Sequence, residues 1–170
     1  MQFRRIREKD GFTLIELIVV IALIGIVMFA AFPRFQRALT DPARTASLWI
    51  FWKIPQLKQQ AVTENRRITL HIDLSGNRLL ITHESMSPEE IEAATKNGYA
   101  LPEGFELTDV EFPEDRIVGT GIVPIHFYPK GYSDRAILHA EENETRVLSY
   151  FIEPFLSHVK LVESHAGYDD

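Results

Sequence analysis

The chain has 170 residues, which fits one small domain together with an anchoring segment. It contains no cysteine, which excludes a disulfide framework and any thiolate metal site. The formal net charge of −6 is unevenly spread, since residues 68–170 carry seven basic and nineteen acidic side chains, a net −12. This acidic part argues against nucleic acid as a main partner, because phosphate binding needs clustered lysine and arginine. Its surface is either simply solvated or a patch that docks basic neighbours.

The N-terminal segment joins a basic leader to a long apolar run. Residues 1–11 carry four basic and two acidic side chains, a net +2, and end in Gly11. The run from Phe12 to Phe32 would form a helix about 31 Å long, at roughly 1.5 Å per residue, which matches a bilayer core. The basic leader predicts a cytoplasmic N-terminus and a C-terminal domain on the other side of the membrane.

One carboxylate, Glu16, interrupts the apolar run near its start. A charge in such a helix costs about 2.5–3.5 kcal/mol at the bilayer centre and less near an end, so it indicates a functional site with a partner. A cut between Gly11 and Phe12 would create a partner, because it frees an amino group. A cut at the Gly-Phe junction would therefore explain why a carboxylate lies four positions beyond it.

The sequence GFTLIEL, residues 11–17, resembles the cleavage and methylation signal of type IV pilins and of the pseudopilins of type II secretion. The resemblance implies that a prepilin peptidase cuts after Gly11 and methylates the new N-terminal Phe12. It also implies that Glu16 serves filament assembly with other pseudopilins or pilins in the inner membrane.

Two other interpretations of the N-terminus are open. A secretory signal peptide would have a shorter apolar region without Glu16. Its possible cleavage sites, after Ala30 or Ala31, place Met28 or Phe29 where a small residue is needed. A signal anchor that is never cut explains the length and orientation of the segment but gives Glu16 no role.

Residues 34–67 have a helical pattern, with apolar side chains at mixed three- and four-residue steps and a net charge of +5. Asp41-Pro42 predicts a break, because it matches an N-cap followed by proline at the first helical position. Pro55 predicts a second break, because proline inside a helix costs about 3 kcal/mol. The aromatic side chains of this segment are expected in the core, against a sheet: Trp49, Phe51 and Trp52, with Leu57 beside them.

After Arg67 the apolar period changes from helical to two, which predicts a β-rich head over residues 68–163. The first hairpin turns at residues 75–77, and its register places His71 opposite Leu80. A Ser-Pro-Glu-Glu capping box at residues 87–90 opens a short helix that stops at Gly98. The remaining strands are predicted at Phe105–Phe112, on both sides of a Pro-Lys-Gly turn at 129–131, at Arg146–Ile152 and at His158–Val162.

This order of elements resembles the minor pseudopilins of the H type. The predicted fold is α+β, with an N-terminal hydrophobic helix that continues into an amphipathic helix packed on an antiparallel β-sheet head. The predicted divisions are a cleaved leader (1–11), a transmembrane and filament-core helix (12–33), an amphipathic helical segment (34–67), the head (68–163) and a flexible tail (164–170).

No motif of a hydrolase, metalloprotease, nucleotide-binding loop or dinucleotide fold occurs in the sequence. The six histidines are spread over several predicted strands and the tail, and no close constellation of His, Asp and Glu is expected. The carboxylates are not spaced as a calcium cage. We therefore expect no catalytic, cofactor-binding or metal site.

The sequence thus predicts a structural protein, a minor pseudopilin of a type II secretion system whose filament drives protein export. A minor type IV pilin is the alternative within the same class. A membrane-anchored periplasmic enzyme or binding domain is the alternative from a different class. The expected partners are other pseudopilins or pilins, the prepilin peptidase and the inner membrane, with no nucleic acid.

Overall fold

The computed structural model describes residues 13–39 and 42–168, with side chains for 13–29 and 44–168. The chain divides into two compact units, one up to Asp41 and one from Pro42 onward. The first unit contains one described helix, α1 (Leu14–Leu39). The elements of the second unit are α2 (Pro42–Thr63), β1 (Ile68–Asp73), β2 (Arg78–His83), α3 (Pro88–Lys96), β3 (Tyr99–Ala100), β4 (Phe105–Phe112), β5 (Arg116–Val118), β6 (Ile122–Phe127), β7 (Ala136–Glu142), β8 (Arg146–Ile152) and β9 (Lys160–Val162).

The fold is α+β, as predicted, but the head has two antiparallel sheets where the sequence analysis expected one. The first sheet has the strand order β3-β2-β1-β6, and the second has the order β5-β4-β7-β8-β9. The strands on either side of the Pro-Lys-Gly turn therefore belong to different sheets. The turn of the first hairpin ties the sheets together, because the side chain of Asn77 bonds the backbone of both Phe105 and Leu107.

Several elements agree with the predictions made from turn and capping residues nearby in the sequence. The hairpin of β1 and β2 pairs His71 with Leu80. Helix α3 begins with the predicted capping box, in which Ser87 and Glu90 bond each other's backbone N–H groups. Strand β4 has the predicted bounds, Phe105–Phe112. These elements agree with the sequence because their turns and caps lie within a few residues of the strands and helix that they start or end.

Helix α2 begins at Pro42, which agrees with the predicted break, although Asp41 lies outside the described residues. The second predicted break is wrong, since α2 continues through Pro55 to Thr63. A proline in a helix removes one backbone hydrogen bond. Burial of the helix face on both sides of Pro55 offsets that loss. The buried residues of this face recur at three- and four-residue steps: Ala46, Ile50, Ile54, Leu57 and Ala61.

This face of α2 forms one continuous core with both sheets. Trp52 does not belong to the core, contrary to the sequence prediction, because its side chain is 71% exposed. It lies two positions from both Ile50 and Ile54, which places it on the opposite side of the helix. Trp49 lies at the edge of the core, where its ring stacks on Tyr99 with centroids 4.5 Å apart.

A β-bulge at Thr108 decides which side chains of β4 face the core. The pairing of β4 with β7 shifts between Leu107 and Asp109, so that Thr108 is an extra residue. Leu107 and Val110 therefore both face the core, although they lie three positions apart. The same shift turns Asp109 and Glu111 to the other face of the second sheet.

That other face is covered by the C-terminal segment, residues 164–168, which the sequence predicted to be a flexible tail. The hydroxyl of Ser149 donates to the Ser164 carbonyl at 2.6 Å and accepts from the Ala166 N–H at 3.1 Å. Ala166 is only 8% exposed. The segment is ordered because strand β8 supplies hydrogen-bond partners for its backbone, a contact that local composition does not reveal.

Lys58 joins α2 to the loop after β8. Its side chain is 8% exposed, and its ammonium donates to the carbonyl of Glu153 and to that of Leu156 at 2.7 Å. Burial lowers the pKa of Lys58, and the Glu153 carboxylate partly offsets this effect.

Replacing Lys58 with methionine is expected to lower the free energy of unfolding by about 1–3 kcal/mol, because the loop carbonyls lose a charged donor. Lys53→Met is the matched control, since Lys53 donates to Gln56 on the exposed surface of the same helix and should change stability by less than about 0.5 kcal/mol. Urea unfolding of the full chain in detergent, followed by tryptophan fluorescence, measures both variants. Equal stability of the two variants would remove the structural role of Lys58.

Candidate functional site

The first turn of α1 holds the one predicted site residue that the structure describes, Glu16. Thr13 precedes the helix and caps it, since its hydroxyl accepts from the Glu16 N–H at 3.3 Å and its carbonyl accepts from the Leu17 N–H at 3.2 Å. This capping role is not among the predictions made from the sequence. The T-x-x-E spacing of a capping box was the signal that could have revealed it.

Glu16 is exposed and lies at the third position of the helix. A negative charge there is favoured by the positive end of the helix dipole, by about 0.3–1 kcal/mol at an exposed site. The predicted cleavage residues, Gly11 and Phe12, lie outside the described residues.

Helix α1 has no polar face around Glu16. Every described side chain from Leu14 to Phe29 is exposed, and nearly all of them are apolar. A helix that is apolar on all sides is normally buried by other molecules. The transmembrane helix predicted for residues 12–33 begins and ends outside the described side chains. No helix in the part of the chain that the structure describes is long and apolar enough to cross a membrane.

A second exposed apolar surface lies on α2, on the side opposite the core. It is formed by Leu48 and Trp52 and continues toward Thr45 and Gln56. We call it the α2 patch. Exposed tryptophan side chains are costly in water and are common at protein interfaces.

The outer face of the second sheet carries a cluster of His, Asp and Glu, where the sequence analysis expected none. We call it the outer-face cluster: Asp109, Glu111, His139 and His165. The His139 side chain is fully buried, with Nε2 3.7 Å from Asp109 Oδ1 and 3.5 Å from Glu111 Oε2. The His165 ring stacks on the His139 ring, with centroids 4.1 Å apart, and its Nε2 lies 4.0 Å from Asp109 Oδ2.

Three members of the outer-face cluster could hold a metal ion, because ligand atoms of Asp109, His139 and His165 lie within 4.8 Å of one another. The cluster depends on cross-strand register, since His139 pairs with Asp109 on one side and Ser149 on the other. Burial lowers the pKa of His139, and the Asp109 carboxylate partly offsets this. The three residues are far apart in sequence, which is why spacing alone did not reveal them.

Another polar group, around Asp134, has a structural explanation. The Asp134 carboxylate lies 2.7 Å from His126 Nδ1 and accepts from the Tyr128 hydroxyl at 3.1 Å. It also accepts from the backbone N–H of His126. These bonds hold the turn after β6 in place, and the group presents no nucleophile next to a base.

The N-terminal region matches the family described as the prokaryotic N-terminal methylation motif, over residues 6–32. That motif implies a membrane-anchored protein of the type IV pilin kind that a prepilin peptidase processes. No curated protein matches the chain in sequence.

Two solved structures of the minor pseudopilin EpsH from the type II secretion system of Vibrio cholerae are similar to the chain. One is 11% identical, with a TM-score of 0.53, and covers 75% of this chain and 99% of its own. The other is 14% identical, with a TM-score of 0.52, and covers 76% of this chain and 99% of its own. The chain therefore carries an N-terminal methylation motif of the type IV pilin kind and has a pilin-like α+β fold similar to that of the minor pseudopilin EpsH.

Proposed function

We propose that the chain is a structural minor pseudopilin of a type II secretion system. It is cut between Gly11 and Phe12, methylated at Phe12 and assembled into a periplasmic pseudopilus that is anchored in the inner membrane. The observation that carries the proposal is the combination of a methylation motif at residues 6–32 with a head whose fold is similar to that of EpsH.

Assembly moves α1 from lipid into a bundle of helices from neighbouring subunits. The exposed apolar side chains from Leu14 to Phe29 support this step, because either environment would cover them. Glu16 gives the step its direction. Its carboxylate is poorly solvated in lipid, and in the filament it gains a cation, the amino group of Phe12 of an adjacent subunit.

The α2 patch supports contacts between subunits outside the membrane. Leu48 and Trp52 are exposed on α2, whereas the opposite face of that helix is buried in the core. Burial of such side chains against a neighbouring subunit would stabilise the assembly by about 25 cal/mol per Å² of apolar surface. The helix can thus serve the fold with one face and the filament with the other.

A minor type IV pilin is the second candidate, and the methylation motif supports it equally well. The likeness of the head to a pseudopilin favours the secretion filament over the pilus. A membrane-anchored enzyme or binding domain has less support. The Ser149 hydroxyl lies 2.9 Å from His139 Nδ1, but both side chains are fully buried and the hydroxyl donates to the Ser164 carbonyl instead.

Deletion of the gene in the native host tests the proposed function. The secretion pseudopilin predicts that exported proteins accumulate in the periplasm, with surface motility unchanged, and that a plasmid copy of the gene restores export. Loss of surface motility with normal export would support the type IV pilin instead. Normal export and motility in the deletion strain would contradict both proposals.

A further inference from the structure

The hydrogen bonds of Ser149 fix the protonation of the buried His139 ring. The Ser149 hydroxyl has one hydrogen, and the Ser164 carbonyl at 2.6 Å is a pure acceptor that must receive it. His139 Nδ1 lies 2.9 Å from the same hydroxyl oxygen, so Nδ1 carries a hydrogen and donates. In the neutral ring, Nε2 therefore presents a lone pair.

That lone pair faces two carboxylates. Asp109 Oδ1 lies 3.7 Å from Nε2, and Glu111 Oε2 lies 3.5 Å from it. Asp109 Oδ1 is buried and has no hydrogen-bond partner, whereas Oδ2 of the same side chain accepts from the Thr108 hydroxyl. Three electron-rich atoms thus converge in a place where His139 is 0% exposed. Such an arrangement costs free energy unless a proton, shared across the 3.5 Å contact of Nε2 with Glu111, or a metal ion lies among them.

We propose that the outer-face cluster is a zinc site, with Asp109, His139 and His165 as ligands and Glu111 or a water molecule in the fourth position. In a tetrahedral site with bonds of about 2.0–2.2 Å, neighbouring ligand atoms lie about 3.3–3.6 Å apart. From His139 Nε2, Glu111 Oε2 at 3.5 Å and Asp109 Oδ1 at 3.7 Å are close to this range, whereas His165 Nε2 lies 4.0 Å from the other oxygen, Asp109 Oδ2. An ion bound there would draw the ligand atoms of Asp109, Glu111 and His139 inward by roughly a few tenths of an ångström.

His165 must turn for the lone pairs of both rings to meet at one ion, because the rings now stack with an angle of 7° between their planes. The turn is not opposed by close packing, since the His165 side chain is 58% exposed. The remaining ligands are preorganised. Ser149 holds the Nδ1 side of His139, which is the usual outer contact of a metal-binding histidine.

The ligand types select zinc over the hard cations. Calcium and magnesium take sets made mainly or wholly of oxygen, whereas the cluster supplies two imidazole nitrogens. A bound zinc ion would connect β4 and β7 to the C-terminal segment, which otherwise is held through Ser149, Glu111 and aromatic contacts. The site would thus hold the C-terminal segment against the second sheet.

Zinc binding to the full chain, purified in detergent and stripped with a chelator, tests the proposal. Equilibrium dialysis against Zn²⁺ should give one ion per chain, and thermal unfolding should shift to higher temperature when the ion is present. Co²⁺ in place of Zn²⁺ should give the visible absorption of a tetrahedral site. Zn²⁺ should also slow proteolytic loss of the C-terminal segment.

His165→Ala is the decisive variant, because His165 is exposed and its removal leaves the core intact. It should weaken Zn²⁺ binding by at least about 10-fold, and Asp109→Asn, which keeps the shape of the side chain, should do the same. The matched control is His158→Ala, an exposed histidine outside the cluster, which should bind as the unaltered chain does. No Zn²⁺-dependent shift in unfolding, or equal binding by the control and His165→Ala, would overturn the proposal.

Discussion

Replacing Glu16 with alanine is expected to prevent incorporation of the chain into a filament, while cleavage after Gly11 and membrane insertion continue. In the proposed filament the carboxylate pairs with the Phe12 amino group of an adjacent subunit. Removal of one partner from a desolvated ion pair costs about 3–5 kcal/mol, which weakens association at least about 100-fold. Insertion into the membrane should become easier, because a charge is removed from an apolar helix.

Two further variants test whether the charge of Glu16 is what matters, one by removing the charge and one as a control that keeps it. Glu16→Gln keeps the length of the side chain without its charge, and it should fail in the same way as Glu16→Ala. Thr13→Ser keeps a hydroxyl that can cap the helix, and it should assemble normally. Cross-linking to the other subunits and export of secreted proteins are measured in strains that carry only the variant. Normal cross-linking and export with Glu16→Ala would remove the electrostatic role of this residue.

Replacing Gly11 with phenylalanine is expected to block processing, because the peptidase must reach an extended backbone next to the membrane surface. The intact mass from the native host should then correspond to the whole chain. The unaltered chain should instead begin with N-methylated Phe12. Without the cut, Glu16 also loses its proposed partner, so filament incorporation should fail together with processing.

Gly25→Ala provides the control for Gly11→Phe. Gly25 lies in α1, and an added Cβ would meet no described atom within 4 Å beyond the adjacent backbone of its own helix. It changes a glycine of the same segment without touching the junction, so the chain should still be cut and methylated. A mature chain that begins at Met1 or near Phe32 in the unaltered protein would contradict the proposed processing.

The sequence was sufficient wherever structure depends on neighbouring residues. The turn at residues 75–77 lies between two runs of period two, and it set both the hairpin and the pairing of His71 with Leu80. Ser87 and Glu90 form their capping box within a single turn of α3. The apolar helix at the N-terminus could be predicted in the same way, because the apolar run itself indicates it without reference to other elements.

Helix α2 shows where a local pattern is insufficient. Aromatic and aliphatic residues occur around the helix at mixed three- and four-residue steps, so the sequence did not identify the buried face. The structure buries Ile50 and Ile54 and exposes Trp52, which lies between them in sequence. The sheets determine the choice, because Pro55 is tolerated once the face beside it is buried.

The outer-face cluster was beyond prediction for a different reason. It depends on one extra residue in β4, since the bulge at Thr108 turns Asp109 toward His139. It also depends on the docking of His165 through the Ser149 hydroxyl. Neither the register of a bulged strand nor the path of a terminal segment follows from hydropathy or turn signals.

The contacts of α2 with β8 and the loop that follows it constrain the order in which the head can fold. The Ser47 hydroxyl accepts from the Tyr150 hydroxyl across 103 positions of sequence, and Lys58 reaches the Glu153 carbonyl across 95. Helix α2 also packs on β1, β4 and β6, which are synthesised earlier, but these two contacts form only after β8 and the loop beyond it are present. Contacts between segments so far apart form slowly, so this part of the core is completed only when nearly the whole head is present. A head that ended before β8 would therefore leave the hydroxyl of Ser47 and the ammonium of Lys58 without these partners.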